Sequence, residues 1–186
     1  MDADRDLVKA AVAGDRDAFD ELVRRYQGPV VNLARAMTAS DAEVDDMAQE
    51  TFVRVWRSLP GFRGDSAFRT WLYGIAMNVV RTHRARHSKR RSLFWSGPAE
   101  REGDPLEQAR DQDEGIEQQM MMRDGIDRAL KALPGELREA LVLRDIQGLE
   151  YREIADALGV PIGTVESRIF RARQRLRPLL AHLRER

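Results

Sequence analysis

Four groups of residues carry chemistry in this sequence. Between Tyr151 and Arg177, the residues Ser167, Arg168, Phe170, Arg171, Arg173, Arg175 and Arg177 share one side of a helical repeat whose other side is Val165, Ile169, Ala172 and Leu176. Guanidinium groups at that density fork onto phosphates or onto guanine edges, and a helix of this kind fits the major groove of DNA. Asp45, Asp46, Gln49 and Glu50 form the second group, opposite an apolar stripe of Val44, Met47, Ala48, Phe52, Val55 and Trp56. Paired carboxylates serve acid–base chemistry or metal binding only when enclosure shifts their pKa, and nothing beside this face promises a pocket. These residues alone read first as a solvated face and second as a docking surface. The third group, Phe62, Trp71 and Asn78, precedes a basic block of Arg81, Arg84, Arg86, Lys89, Arg90 and Arg91. Bases released from a duplex stack on aromatic faces and are read by polar groups, while cations hold the adjoining phosphates. The fourth is His83 and His87, spaced four apart as in a two-histidine metal site. Arg84 stands where a zinc hydrolase carries its glutamate, so solvation or phosphate proximity is favoured and no metal is assigned.

Helices must position all four. Ile154 and Leu158 make an apolar stripe, Ala155 is small enough for a second helix to cross closely, Gly159 suits a turn and Thr164 suits the next N-cap, which together spell a helix-turn-helix. Upstream, Phe19, Leu22, Val23, Tyr26, Val30, Leu33, Ala34 and Met37 keep a helical repeat with a kink or break predicted at Gly28-Pro29. A second helix is predicted from Ser40, with Glu43 completing a capping box, to the Leu59-Pro60-Gly61 stop. A third is predicted from Ser66 through Phe68, Leu72, Ile75, Ala76, Val79 and Val80, with Phe68 in the core. The helical pattern lapses from Ser92 to Gly115 and resumes through Ile116, Met120, Ile126, Leu130 and Leu133, with the Met120-Met121-Met122 run read as core packing. No period-two strand pattern occurs. The fold class is all-α, with two small helical domains, 1–91 and 116–186, joined by a flexible acidic linker over 92–115.

Composition narrows the function. The formal net charge of +0 conceals a segregation: two basic blocks flank an acidic stretch that holds Glu100, Glu102, Asp104, Glu107, Asp111, Asp113, Glu114 and Glu117. With no cysteine, disulfides, thiol catalysis and thiolate metal sites are excluded. No apolar run is long enough to cross a bilayer, and the acidic start Met1 to Asp6 differs from a signal peptide, which predicts a cytoplasmic protein. No phosphate loop, nucleophile elbow or Ser-His-Asp arrangement occurs.

Taken in order, these segments resemble the extracytoplasmic-function sigma factors, close to the sigma-E branch. The resemblance covers nearly the whole chain: Ala18-Phe19 to Tyr26-Gln27, Asp45-Asp46 to Phe52, Phe62 to Phe68, Thr70 to Tyr73 with Ile75 to Asn78, Leu133-Pro134, Leu143-Arg144 and Gly163 to Arg173. It implies an alternative-sigma initiation factor without catalysis or cofactor of its own. Asp45, Asp46, Gln49, Glu50 and Phe52 would dock on core RNA polymerase, replacing the solvated-face reading. Ser58, Phe62, Trp71, Asn78, Arg81 and Arg84 would engage the opened −10 element, and Thr164, Ser167, Arg168, Phe170, Arg171 and Arg173 the −35 element. Implied partners are core RNA polymerase, promoter DNA and an anti-sigma factor, membrane-linked or soluble; no small-molecule substrate is implied. The free chain would be monomeric, at the nucleoid when active and at the inner membrane face when so held. Three residues depart from the sigma-E pattern: Arg69 and Gly74 in the −10 segment, and Glu166 where relatives carry a base. The rival reading is a one-component helix-turn-helix regulator, which leaves the Asp45–Phe52 face and the Phe62–Asn78 segment without a role.

Overall fold

Helices account for every regular element in the computed structural model, which describes residues 4–38, 40–94 and 114–181. The N-terminal part comprises α1 (Arg5–Val12), α2 (Arg16–Met37), α3 (Asp41–Ser58) and α4 (Phe68–Phe94), with a 3₁₀ turn over Leu59–Gly61. The C-terminal part comprises α5 (Glu114–Lys131), α6 (Gly135–Leu141), α7 (Tyr151–Leu158) and α8 (Ile162–Leu179). A π turn over Val142–Ile146 continues α6. The fold class is the expected all-α one, with two helical domains. Most of the expected linker, 95–113, lies outside the described residues.

Local chemistry explains where these helices differ from the sequence reading. Pro29 does not break α2, which runs on from Arg16 to Met37. A proline removes one donor, whereas Leu22, Tyr26, Val30, Leu33 and Ala34 bury a continuous stripe across it. The capping box at Ser40 is not formed, because the Thr38 hydroxyl takes the Glu43 carboxylate instead. Ala67, not Ser66, accepts the first backbone bonds of α4. Thr164 is not an N-cap: Pro161, with φ −58° and ψ 147°, precedes α8, and Thr164 sits inside the first turn, donating its N–H to the Pro161 carbonyl at 2.9 Å. Gly159 behaves as read, ending α7 in the left-handed region at φ 66°.

The two parts do not keep separate cores. One cluster, around Leu22, Val55, Leu59, Phe68 and Leu72, is confined to α1–α4. A second joins Leu33, Met37, Met47, Tyr73, Met77 and Val80 to Leu130, Leu133, Leu141, Leu149, Ile154 and Ile169. The seam between the parts runs along one face of α4, where Thr70, Tyr73, Gly74, Met77, Arg81 and Arg84 recur at helical spacing. Gly74 brings α4 close to the α7 backbone: a Cβ there would stand 3.2 Å from the Ala157 carbonyl oxygen. The departure at position 74 therefore has a packing cause.

Two helical glycines should respond oppositely to substitution. Gly28→Ala, with nothing within 4 Å of the added carbon, should raise unfolding free energy by about 0.5–1 kcal/mol through helix propensity. Gly74→Val should lower it by about 1–3 kcal/mol by overpacking against α7 backbone. Urea melts of the three proteins check both signs.

Candidate nucleic-acid and protein interfaces

The acidic face of α3 forms because apolar residues fix its phase. Val44, Met47, Ala48 and Val55 are buried, which turns Asp45, Asp46 and Gln49 to solvent. Phe52 instead packs against the N-terminal core, half-buried. Glu50 is half-buried and held on three sides. Its Oε2 lies 2.8 Å from His83 Nε2 and 3.9 Å from Arg86 Nη1, and Oε1 accepts from Arg54. The His83 hydrogen bond, with Arg54 behind it, holds the Glu50 carboxyl below its ordinary value of 4.5 against the upward pull of burial. His83 is thus committed to Glu50, and among the described residues no group of three metal-ligating side chains occurs. The His87 side chain lies outside the described residues. Beyond Gln49 the face continues with Val53, 41% exposed, and with Trp56, which the sequence pattern puts in the opposite apolar stripe but which is 38% exposed, one side of its ring packed on Phe19 at 4.7 Å. An acidic helix face continued by partly exposed apolar side chains suits a protein partner better than plain solvent.

Around the second site, Phe68 is buried as expected, and Phe62 and Trp71 pack half-buried against it with ring centroids at 6.0 and 5.8 Å. Phe62 and Trp71 lie 4.9 Å apart, forming the edge of the aromatic cluster. Ser58 is exposed at the end of α3. Asn78, two turns beyond Trp71 on α4, is exposed and lines an open groove with Arg81, Thr82, Ala85 and Arg86. Arg81 also faces the seam, where its Nε and Nη2 donate to Glu139 Oε2 at 3.1 and 2.8 Å. Arg84 Nη1 donates to Glu139 Oε1 at 3.4 Å.

On the helix-turn-helix, Val165, Ile169 and Ala172 are buried, so Glu166, Ser167, Phe170 and Arg171 face outward, Phe170 with 62% exposure. Thr164 is half-buried. The arginines divide into two kinds. Arg168 is tied to Glu136 at 2.6 Å with only 15% of its side chain exposed. Arg173 is paired with Asp145 at 2.7 Å, a bond that raises its pKa further. Periodicity could not separate these from Arg171, because the carboxylates come from α6 and the π turn.

The seam also holds paired polar groups to which the sequence reading assigns no contact between the two parts. Arg69 Nη2 donates to Glu153 Oε2 at 3.0 Å and to the Gly148 carbonyl at 3.4 Å, and the Thr70 hydroxyl donates to Glu153 Oε1 at 3.0 Å. Burial pushes Glu153 up, but Arg69, the Glu150 N–H and Thr70 outweigh it and hold the carboxyl below its ordinary value. Tyr73 donates to Gln147 Oε1 at 2.7 Å, and burial pushes its hydroxyl up to about 12. Gln147 in turn donates to the Pro29 carbonyl at 3.1 Å. The only signal in the sequence was that Arg69 and Gly74 break a pattern.

Two family models match the chain, Sigma-70 region 2 over residues 22–90 and Sigma-70 region 4 over residues 123–176. The sequence is 40% identical to the RNA polymerase sigma-H factor of Pseudomonas aeruginosa, across 97% of each chain. It is 39% identical to the ECF RNA polymerase sigma-E factor of Escherichia coli, across 92% of this chain and 91% of that one. Among solved structures it is similar to CnrH in complex with the cytosolic domain of CnrY, at a TM-score of 0.72 and 32% identity, covering 97% of this chain and 99% of that one. The sigma factor RpoE of Bartonella quintana, solved with the anti-sigma factor NepR, shares the fold at a TM-score of 0.71 and 23% identity, covering 88% and 96%.

The Glu50 cluster gives a pH test. A carboxyl depressed on folding stabilises the protein above its unfolded value and loses that contribution as pH falls through the folded value. The stability gap between wild type and Glu50→Gln should be about 0.5–1 kcal/mol near neutrality. It should shrink towards zero on acidification below pH 4.5, as read by chemical denaturation across pH.

Proposed function

The chain belongs to the sigma-70 family, in its extracytoplasmic-function branch, and is an alternative-sigma transcription initiation factor; from that premise we propose a role for each of its exposed faces. The observation that carries the assignment is the pairing, on one chain, of an acidic helix face rimmed by Val53 and Trp56 with an outward-facing arginine helix after a left-handed glycine turn. Asp45, Asp46 and Gln49 dock on core RNA polymerase, Glu50 holds that face to α4, and Phe52 sets its phase from the inside. Polymerase supplies the chemistry, and this chain has no reaction or cofactor of its own.

In the N-terminal domain, residues 1–91, Ser58, Phe62, Trp71 and Asn78 receive an unstacked base of the −10 element. Arg81 and Arg84 neutralise its phosphates. Unstacking costs a few kcal/mol, which stacking and phosphate neutralisation offset. In the C-terminal domain, residues 116–186, Ser167, Phe170 and Arg171 reach the bases of the −35 element. Thr164 is half-buried in the first turn of α8, while Arg168 and Arg173 hold the helix in register through Glu136 and Asp145 and reach phosphates beside it. Residues 92–115 connect the two. Since CnrH was solved with CnrY and the Bartonella protein with an anti-sigma factor, we assign this chain an anti-sigma factor that covers the same faces. We place its action in the cytoplasm, at the nucleoid when free and at the inner membrane face if that partner is anchored.

Transcription from a promoter library by core polymerase plus this protein tests the assignment: enriched promoters should share two spaced elements, and no enrichment refutes it. Asn78→Ala should impair promoter opening, read by permanganate footprinting, with core binding intact. Arg171→Ala should weaken −35 duplex binding by about 1–3 kcal/mol, whereas Arg168→Ala should lose protein stability as well as affinity.

A further inference from the structure

The two arginines assigned to −10 phosphates are occupied inside the free chain. Glu139 is 3% exposed and lies on α6, in the C-terminal domain, yet both its oxygens accept from the N-terminal domain: Oε2 from Arg81 at 2.8 and 3.1 Å, Oε1 from Arg84 at 3.4 Å. Arg81 closes both prongs of its fork on one carboxylate oxygen and Arg84 takes the other, so Glu139 offers the pair two negatively charged acceptor oxygens, as a phosphate does. Arg81 meanwhile lines the groove beside Asn78. At the other end of the same α4 face, Arg69, Thr70 and Gly74 fasten α7 through Glu153 and the Ala157 backbone.

We propose that Glu139 is an internal phosphate surrogate, so that docking of the C-terminal domain and binding of single-stranded −10 DNA compete for Arg81 and Arg84. The proposal rests on the assignment of those two arginines to DNA phosphates. Geometry requires that the seam open. Elements at −35 and −10 lie about 25 base pairs apart, about 85 Å at 3.4 Å per pair. A compact chain of this length has a radius of gyration of about 16 Å, so the docked form cannot read both. Because coupling is reciprocal, DNA that captures Arg81 and Arg84 drives the domains apart, and docking weakens the DNA. The free protein is thereby kept from binding single strands indiscriminately until polymerase holds the domains apart.

The test uses the full chain without polymerase and a fluorescein-labelled 20-nucleotide single strand of random sequence, titrated by anisotropy across salt. Glu139→Gln should bind about fivefold or more tightly than wild type. Its plot of log affinity against log salt should steepen by about 1.4, the equivalent of two newly available cations at 0.7 each. Asp17→Asn, the same charge change at an exposed site on α2, should leave the slope unchanged. Arg69→Glu opens the seam from its far end; it should also bind more tightly although it removes a cation, and small-angle scattering should show a larger radius of gyration. Wild-type affinity and slope in both Glu139→Gln and Arg69→Glu overturn the proposal. Adding Arg81→Ala and Arg84→Ala to Glu139→Gln should abolish the gain. If the gain persists, the phosphate role of the arginines is wrong; if no gain ever appears while Arg81→Ala still impairs −10 binding by holoenzyme, only the competition is wrong.

Discussion

A carboxylate taken out of water must find cations, and the two that Glu139 pairs with among the described residues, Arg81 and Arg84, lie across the boundary between the two domains. That requirement organises the seam. Arg81 and Arg84 anchor one end, the Arg69–Glu153 pair anchors the other, and between them Tyr73, Gly74 and Met77 let the helices approach closely enough to share one apolar core. Removing Glu139's partners would leave a buried uncompensated charge, so the seam is held as a unit rather than as separate contacts. The same packing fixes where α7 and α8 stand, and with them the orientation of the outward face of α8.

Much of this protein is legible in its sequence. Helical periodicity finds the stripes of α2, α3, α4, α7 and α8 because each buries one continuous apolar face, and Gly159 announces its turn because only a permissive residue suits φ 66°. Periodicity does not weigh a single breaker against a long stripe, so it overrates Pro29. Capping signals at Ser40 and Thr164 fail for a related reason, since the Glu43 carboxylate that would close the box is claimed by Thr38, and Pro161 starts α8 three residues ahead of Thr164.

Tertiary pairing is the part the sequence does not disclose. Arg168, Arg171 and Arg173 are alike in type and spacing, yet Glu136 and Asp145 bind two of them and leave Arg171 outward. Charge bookkeeping along the chain hides such pairs because the partners lie about 30 residues apart. Arg69 and Gly74 are visible as departures from a pattern, but their meaning needs α7 beside them.

The π turn over Val142–Ile146 carries a consequence for how this chain can change over evolutionary time. Its bond from the Gln147 N–H to the Val142 carbonyl, at 3.0 Å, spans five residues where an α-helix spans four. Such a turn is the trace of one extra residue accommodated without breaking the helix, and it advances everything beyond it by about 100°. Here that rotation delivers Gln147 to Tyr73 and Pro29. Lineages that lose the extra residue would present a different side of α7 to α4, so insertions and deletions at this point should be purged while those in surface loops accumulate.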